Sequence, residues 1–255
     1  MRLGAQVYSI RNQIQTPEGY LNAMQQLKKM GYETVQHAGT VLEDPYLLRD
    51  LSQQAGLQQI CPNIRATPLL EDIDSVIASM RILGCDSIML PYITPDHFVT
   101  LGSFLEKWAP LETPLQKLLD AGITPCYHNH DFDIAPLSDW DGSFVDYLAE
   151  NRPGWQFILD VCWSAFAQAD TLAYFKKLAG RLNCVHFKDY NGSINSQHIP
   201  VFTACGRGCL PLTTFAKHVR DLGIEDVIVE QDNAQDYPDP MEQMAQSASY
   251  IKALF

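Results

Sequence analysis

The segment that decides the fold is Ile-Thr-Pro-Cys-Tyr-His-Asn-His, residues 123–130, in which a largely apolar run is followed by polar side chains. Such a run predicts a buried strand that ends at His128. The same pattern recurs three times further along the chain, where other apolar runs end in Asp160, His186 and Glu230. Four strand ends that carry imidazole or carboxylate groups can converge at one mouth of a barrel.

Strands and helices alternate along the whole chain, with glycines near the junctions. Strands are predicted at residues 3–8, 33–37, 57–62, 86–91, 123–128, 156–160, 182–187 and 226–230. Helical periodicity predicts helices at residues 17–30, 45–55, 69–83, 104–121, 141–151, 171–178, 212–222 and 240–254. Eight such units in 255 residues fit an α/β fold with one (β/α)8 TIM-barrel domain over residues 1–255. A doubly wound open sheet is the alternative, but it usually has fewer strands, and no Gly-x-Gly-x-x-Gly follows the first strand.

Composition and charge exclude several classes of protein. The formal net charge of −12 disfavours binding to a nucleic-acid backbone. No apolar run approaches the roughly 20 residues of a membrane helix, and the first residues predict a strand rather than an export signal, so we expect a cytoplasmic protein. The seven cysteines include no Cys-x-x-Cys pair, which predicts buried free thiols. A metal-binding or oxidisable pair of Cys205 and Cys209 is the less favoured alternative, because their spacing matches no standard zinc motif.

The barrel prediction gives the four polar strand ends a common location. Active sites in this fold lie at the carboxyl ends of the strands, and His128, Asp160, His186 and Glu230 follow four consecutive strands. Taken singly, a strand-end histidine is more often a hydrogen-bonded core residue, and a lone aspartate often caps a helix. Four potential ligands at one topological position favour a shared metal site. Its mixed nitrogen and oxygen donors suit Mn, Co, Zn or Mg.

Longer motifs extend this pattern over nearly the whole chain. They are Gly-Ala-Gln-Val-Tyr-Ser-Ile-Arg (4–11), Tyr-His-Asn-His-Asp-Phe-Asp (127–133), Leu-Asp-Val-Cys-Trp (159–163), Val-His-Phe-Lys-Asp (185–189), Gly-Arg-Gly (206–208) and Val-Glu-Gln-Asp (229–232). Together they resemble the sugar phosphate isomerase/epimerase family of xylose isomerase-like TIM barrels. The resemblance implies a divalent metal held by the groups at the ends of strands five to eight. Within the family, the chain is similar to a tyrosine-histidine branch that resembles inosose dehydratases and enzymes that cleave 3-keto-glycosides.

The chain departs from its relatives at several positions that bear on mechanism. Ketose 3-epimerases of the superfamily carry Glu where this chain has His128, and their two metal-bound Glu residues exchange protons on opposite faces of the substrate. Only Glu230 of that pair remains here. The tyrosine-histidine branch commonly has Glu where Asp133 stands, so this substrate-contacting side chain is one methylene shorter in the present chain. The second strand ends in Gln36 and the third in Asn63, where relatives often have Glu and His.

The residue types agree with enolisation or elimination beside a carbonyl. A metal bound to adjacent carbonyl and hydroxyl oxygens acidifies the C–H between them and stabilises the enediolate. Glu230 is the preferred base. His130 lies two residues beyond His128 and can serve as a second acid or base, or as a core partner of the site. Lys188 can neutralise an oxyanion or a phosphate, or pair with Asp189.

Other residues are candidates for contact with the substrate. Tyr8 and Trp163 can form an apolar wall against which a sugar ring stacks, although aromatic residues in a barrel more often belong to the core. The backbone amides of residues 206–208 can hold a phosphate with Arg207 as counter-ion. A tight turn is the preferred interpretation of that loop, because Gly-x-Gly alone is a weak signal.

Three functions remain open from the sequence. The leading one is a metal-dependent carbohydrate isomerase or epimerase. The second is a lyase or dehydratase on a keto-inositol or 3-keto-glycoside, which His128 in place of Glu favours. The third is a non-catalytic sugar-binding protein with a decayed site, suggested by Gln36, Asn63 and Asp133. All three have a sugar or cyclitol as partner, and a homo-oligomer is compatible with each.

Overall fold

The computed structural model describes residues 1–38, 42–90, 92 and 100–255. Eight parallel strands form one sheet in the order β3-β2-β1-β10-β7-β6-β5-β4. They are β1 Arg2–Gln6, β2 Thr34–Gln36, β3 Gln58–Gln59, β4 Ser87–Met89, β5 Thr124–His128, β6 Gln156–Asp160, β7 Leu182–Phe187 and β10 Asp226–Val229. A parallel bridge between Asn63 and Met89 joins the segment that follows β3 to β4, so the sheet closes into a ring. The predicted TIM-barrel fold is confirmed.

Helices cover the outside of the ring. They are α1 Pro17–Met30, α2 Pro45–Ala55, α3 Ala66–Glu71, α4 Ile73–Leu83, α5 Leu101–Asp120, α6 Asp131–Ile134, α7 Phe144–Asn151, α8 Val161–Phe166, α9 Thr171–Lys177, α10 Leu212–Asp221 and α11 Pro240–Lys252. Side chains of Thr16, Asp44 and Asp239 cap the amino termini of α1, α2 and α11, each followed by a proline in the first turn. In the described part of the chain, no helix combines the length and the apolar character that a membrane crossing needs.

The ends of several elements differ from the predicted ones. The first strand stops at Gln6, whose side chain accepts a hydrogen bond from the Tyr8 amide and begins the 3₁₀ helix Val7–Gln13. The helix predicted at 69–83 is two helices, because Asp72 leaves the helical backbone region and caps α4 through the Ser75 amide. The helix predicted from residue 104 begins three residues earlier, where Thr100 forms a capping box.

Three elements that the sequence did not predict lie beyond the strands that bear the metal-ligand candidates. Helices α6 and α8 follow β5 and β6 closely, and an antiparallel hairpin of β8 Asp189–Ile194 and β9 Pro200–Thr203 follows β7. They build up the carboxyl end of the barrel on that side. The interior of the barrel below is a compact layer of apolar side chains, namely Cys61, Met89, Cys126, Ile158, Cys184 and Ile228. All seven cysteines are free thiols, and six are buried as predicted, whereas Cys209 is exposed.

Candidate active site

Four side chains from the second half of the barrel converge at its carboxyl end. His128 ends β5, Asp160 ends β6, His186 lies in β7, and Glu230 directly follows β10. One ligand atom from each residue lies within 4.8 Å of the others. The parallel register places Ile158 beside His128 and Asp160 beside His186, which brings these strand ends to one level. The structure therefore assembles all four predicted metal ligands into one cluster.

The fit of the cluster to a metal can be tested at His186. The amide nitrogen of Gln36 donates to the Cys184 thiol at 3.3 Å, so its carbonyl oxygen, 2.6 Å from His186 Nε2, accepts the proton of that nitrogen. Burial lowers the pKa of His186 to about 3, so the ring is neutral and Nδ1 carries a lone pair. This lone pair faces the Glu230 carboxylate at 2.8 Å. Two acceptors this close are stabilised by positive charge nearby, and the nitrogen and oxygen donors of the cluster fit a metal ion.

Asp160 combines a structural and a ligand-like role. One carboxylate oxygen accepts hydrogen bonds from the amides of Cys162 and Trp163, at 2.9 and 3.0 Å, and thereby caps α8. The other oxygen lies 3.3 Å from His128 Nε2 and 3.2 Å from the Lys188 ammonium. Burial alone would raise the pKa of Asp160, but Lys188 and the His128 hydrogen bond outweigh it and hold the pKa well below its usual range. Asp160 is therefore a permanent anion in a fixed orientation.

Lys188 is a buried cation among acids. Its ammonium lies 3.2 Å from Asp160, 3.1 Å from Glu230 and 3.1 Å from Asp232, and the side chain is 1% exposed. Burial opposes its charge, but these carboxylates raise its pKa well above the ordinary value. Three carboxylates against one ammonium leave two negative charges, which a divalent cation would neutralise. The sequence had offered Asp189 as the partner, and the structure places Lys188 with this cluster instead.

His130 stands beside the cluster and opens α6. Its ring centre lies 4.8 Å from that of His128, and burial together with Lys188 lowers its pKa to about 4. Its backbone amide donates to Asp133 at 2.8 Å, while the Tyr127 hydroxyl donates to the other oxygen of Asp133 at 3.0 Å. Asp133 is only 1% exposed, and burial raises its pKa well above the usual range. In this arrangement Asp133 positions His130, although the sequence suggested it as a substrate contact.

The Gly-Arg-Gly loop holds a carboxylate of the protein itself. The amides of Gly206 and Gly208 donate to one oxygen of Asp189 at 3.0 Å each, and the amide of Leu210 donates to the other at 3.2 Å. A Cβ atom at Gly208 would lie 2.1 Å from the Asp189 carboxylate, so the close approach requires glycine. Arg207 is exposed at the loop surface. The amides that a phosphate would need are engaged by Asp189.

The two predicted aromatic contacts lie in different surroundings. Trp163, in α8, is 7% exposed and lies 5.7 Å from the ring of His130 and 5.2 Å from that of Phe202. Among the described residues, its buried indole nitrogen has no hydrogen-bond partner. Tyr8 is 38% exposed, and the Arg11 guanidinium covers its ring at 4.3 Å. Trp163 thus borders the metal-ligand cluster, whereas Tyr8 lies at the surface of the mouth.

Sequence reasoning missed the contacts made by two residues. Gln36 was noted only as a departure from relatives, yet it orients His186 from the opposite side of the barrel. Asp232 was part of a quoted motif without a role, yet it completes the partners of Lys188. A usable signal existed for Asp232, because it stands two residues beyond Glu230 just as Lys188 stands two beyond His186. Side chains two apart in extended backbone lie on the same face.

Comparisons with known proteins agree with this architecture. A family model described as a xylose isomerase-like TIM barrel matches residues 24–254. A sequence search of curated proteins gave no significant match. Among solved structures, a sugar phosphate isomerase/epimerase from Parabacteroides distasonis is 19% identical with a TM-score of 0.75, covering 98% of this chain and 96% of its own.

Two further structures widen the range of chemistry among the similar proteins. The probable 3-DHS dehydratase AsbF of Bacillus anthracis is 12% identical with a TM-score of 0.74, and 99% of both chains is covered. The IolI protein, solved with a zinc atom, is 13% identical with a TM-score of 0.70, covering 100% of this chain and 98% of its own. At these identities the likeness establishes the fold.

Proposed function

We propose that this chain, which belongs to the xylose isomerase-like TIM barrel family, is a divalent-metal-dependent carbohydrate isomerase or epimerase. It would act by removing the proton from the carbon beside a carbonyl group of a polyhydroxylated substrate. The observation that carries the proposal is the pair of facing acceptors, His186 Nδ1 and the Glu230 carboxylate, within a cluster of four ligand groups. The enzymes among its structural neighbours and the zinc atom in the IolI structure support it.

The metal would be held by His128, Asp160, His186 and Glu230, and Mn, Co, Mg and Zn all suit these donors. A divalent ion bound there supplies Lewis acidity, which favours loss of a proton from the carbon between a carbonyl and a neighbouring hydroxyl group. The two excess negative charges around Lys188 match the charge of such an ion.

Glu230 is the residue best placed to remove the proton. The oxygens of Asp160 are committed to the α8 amides, His128 and Lys188, and its pKa is held low, which makes it a poor base. Burial and the neighbouring His186 lower the pKa of His128 to about 4, so it is a neutral imidazole whose lone pair serves as a ligand. Glu230 makes its described side-chain contacts through Oε2, and its second oxygen is the candidate proton acceptor.

Lys188 and His130 would complete the chemistry. The Lys188 ammonium, 3.1 Å from the Glu230 carboxylate, can stabilise the negative charge that develops on the substrate oxygens as the proton leaves. His130 is neutral at physiological pH because its pKa is lowered to about 4, so it can accept a proton or donate one from its neutral ring. Its position beside His128 places it at the edge of the cluster.

Solvent exchange tests the proposal directly. The metal-loaded protein is incubated in deuterated water with ketoses, keto-inositols and 3-keto-glycosides, and deuterium on carbon is measured by NMR. We expect incorporation at the carbon beside the carbonyl of at least one substrate, and its loss when the metal is removed by a chelator. A protein that binds no metal, or that exchanges no carbon-bound proton in any of these compounds, would instead fit the non-catalytic alternative.

Elimination is the second candidate, and His128 is the observation that favours it. A two-base 3-epimerase needs a proton donor and acceptor on both faces of the substrate, whereas the ligand cluster here offers one candidate base, the Glu230 oxygen that lies outside the described side-chain contacts. A lyase or dehydratase needs one base and a nearby acid to assist the leaving oxygen. A structural neighbour, AsbF, is a probable dehydratase, which agrees with this alternative.

The two candidates are separated by product analysis with free ketoses. We expect fructose and tagatose to be poor substrates for inversion at C3 with the unmodified protein, because the second base is missing. The His128→Glu variant restores a carboxylate at that position and is expected to increase C3 inversion relative to the parent. Efficient inversion by the unmodified protein would refute the one-base interpretation and favour an ordinary epimerase.

A further inference from the structure

We propose that this site takes an uncharged polyhydroxylated ketone, unphosphorylated, whose apolar face is held by aromatic rings beside the metal-ligand cluster. The proposal rests on the proposed function for the position of the reacting carbonyl. The rings in question are Tyr92, His130, Phe132, Trp163 and Phe202, called here the aromatic wall. The aromatic wall is continuous with the metal-ligand cluster. In addition, lysine and arginine side chains at the mouth of the barrel already have partners within the protein.

The aromatic wall runs from the cluster to the surface. His130, whose ring centre is 4.8 Å from that of His128, packs parallel to Phe132 at 5.4 Å and edge-on to Tyr92 at 4.8 Å. Trp163 and Phe202 form the buried end of the aromatic wall. Tyr92 forms its outer end and is 56% exposed. The exposed ring of Tyr92 and the partly exposed rings of His130 and Phe132 offer apolar surface to the C–H faces of a sugar or cyclitol, with Trp163 and Phe202 as the buried support. The wall has little to offer a phosphate group.

Four of the 18 Lys and Arg residues lie in segments that follow the barrel strands, namely Arg11, Arg65, Lys188 and Arg207. Lys188 is surrounded by three carboxylates. Arg11 donates to the backbone oxygens of Tyr8 and Asp232 at 3.0 and 2.9 Å, and Arg65 is paired with Glu43. Residues 39–41, 91 and 93–99, outside the described structure, contain no Lys or Arg. Lys188 and Arg11 are therefore held by partners within the protein, whereas the Arg65 pair lies at the exposed surface.

Arg207 belongs to a loop that packs against the outer helix α11. A Cβ atom at Gly206 would lie 2.3 Å from the ring of Tyr250, so the loop backbone rests directly on that helix. The amides on either side of Arg207 are held by Asp189. A phosphate arriving here would compete with a tethered carboxylate, in a chain whose formal net charge is −12. The same loop that the sequence offered as a phosphate cradle thus argues for a substrate without phosphate.

The test compares ligands that differ only in a phosphate group. The zinc-loaded full chain is titrated by calorimetry with fructose and fructose 6-phosphate, with tagatose and tagatose 6-phosphate, and with a keto-inositol. We expect at least one uncharged ketone to bind, and each uncharged sugar that binds to do so at least about 10-fold more tightly than its phosphate. Equal or tighter binding of a sugar phosphate, or failure of every uncharged ketone to bind, would overturn the proposal.

Solvent deuterium exchange, measured on the same samples, separates this proposal from the proposed function. Binding of uncharged ketones without exchange would leave the ligand class intact and refute the enzyme activity. Exchange with a preference for sugar phosphates would keep the enzyme activity and refute the ligand class. If Arg207→Ala then removed that phosphate preference, the loop of residues 206–208 would be assigned the phosphate.

The wall itself is tested with a pair of tyrosines of equal exposure. Tyr92 and Tyr46 are both 56% exposed, but the ring of Tyr46 packs with Arg49 on α2 rather than within the wall. Tyr92→Ala is expected to weaken binding of the tightest uncharged ketone about 2- to 10-fold, while Tyr46→Ala binds it as the parent does. Zinc affinity should be the same in both variants. Equal affinity in Tyr92→Ala and the parent would remove Tyr92 from the binding surface.

Discussion

The two halves of the barrel carry different chemistry at the same level. In the second half, strands β5, β6, β7 and β10 bring the imidazoles and carboxylates His128, Asp160, His186 and Glu230. In the first half, β2 ends in the amide of Gln36, and Asn63 follows the two-residue strand β3. The second half supplies the four candidate ligands, and the first half supplies an amide that contacts one of them, His186. A neutral amide can fix a histidine's tautomer without adding charge to an already acidic site.

The largest expected effect comes from removing a ligand of the second half. Asp160→Ala and His186→Ala should each abolish stoichiometric metal binding, because each removes one of four converging donors. Metal content after dialysis, measured by atomic emission, checks this. Because Asp160 also caps α8, Asp160→Asn serves as the companion variant that keeps the capping acceptor. Full metal occupancy in either alanine variant would show that the substituted residue is not a metal ligand.

The next effect separates binding from chemistry within the same half. Glu230→Gln keeps an oxygen donor but loses the basic carboxylate, so it should retain part of its metal while proton exchange falls about 10²- to 10⁴-fold or more. Deuterium incorporation at saturating metal measures the loss. Turnover close to that of the parent would point to His130 or His128 as the base.

A smaller loss of metal affinity is expected from a substitution in the first half of the barrel. It tests whether Gln36 orients a ligand and is not a ligand itself. Gln36→Leu removes the acceptor 2.6 Å from His186 Nε2 and should weaken metal affinity about 10- to 100-fold without abolishing it. Asn63→Leu is the matched control, since the described side-chain contact of Asn63 is with the Leu90 backbone oxygen. Chelator competition gives both affinities. If the two variants behave alike, Gln36 has no special role.

The smallest effect concerns His37, next to Gln36 in the first half. Burial lowers the pKa of His37 to about 4, while an unfolded histidine titrates near 6.5. As the pH falls, His37 binds a proton in the unfolded chain before it does so in the folded one. The contribution of His37 to the free energy of unfolding is therefore complete above about pH 6.5 and is lost as the pH falls toward 4. Since the ring is partly exposed, we expect a loss of about 1 kcal/mol between pH 7 and 5 that His37→Asn lacks. Urea unfolding of both proteins at the two pH values measures it.

The sequence predicted those features that depend on local pattern. The parallel strands and the polar residues at their ends follow from apolar periodicity, and barrel topology then brings distant strand ends together. The break at Asp72 was hidden because the apolar spacing continues across it, whereas the cap depends on the backbone conformation of this one residue. The β8–β9 hairpin was hidden because β8 is polar and largely exposed, and β9 is only four residues long. The contact of Gln36 with His186 spans 150 positions and arises only when the ring closes.

The way in which the ring closes determines where the barrel can open transiently. Among the described residues, one bridge joins β4 to the segment after β3, and the Met89 amide donates to the Pro62 oxygen and the Ile64 amide to the Met89 oxygen, at 2.9 and 3.2 Å. In the strand order this seam lies diametrically across from the β7–β10 pair, which carries His186 and leads into Glu230. Transient opening of the barrel is cheapest where the fewest backbone bonds must break. In a hydrogen-exchange experiment, the amides of Ile64 and Met89 should become labelled while those of Phe187 and Val229 stay protected. The barrel can then open at this seam without moving the charged side chains of the metal-ligand cluster.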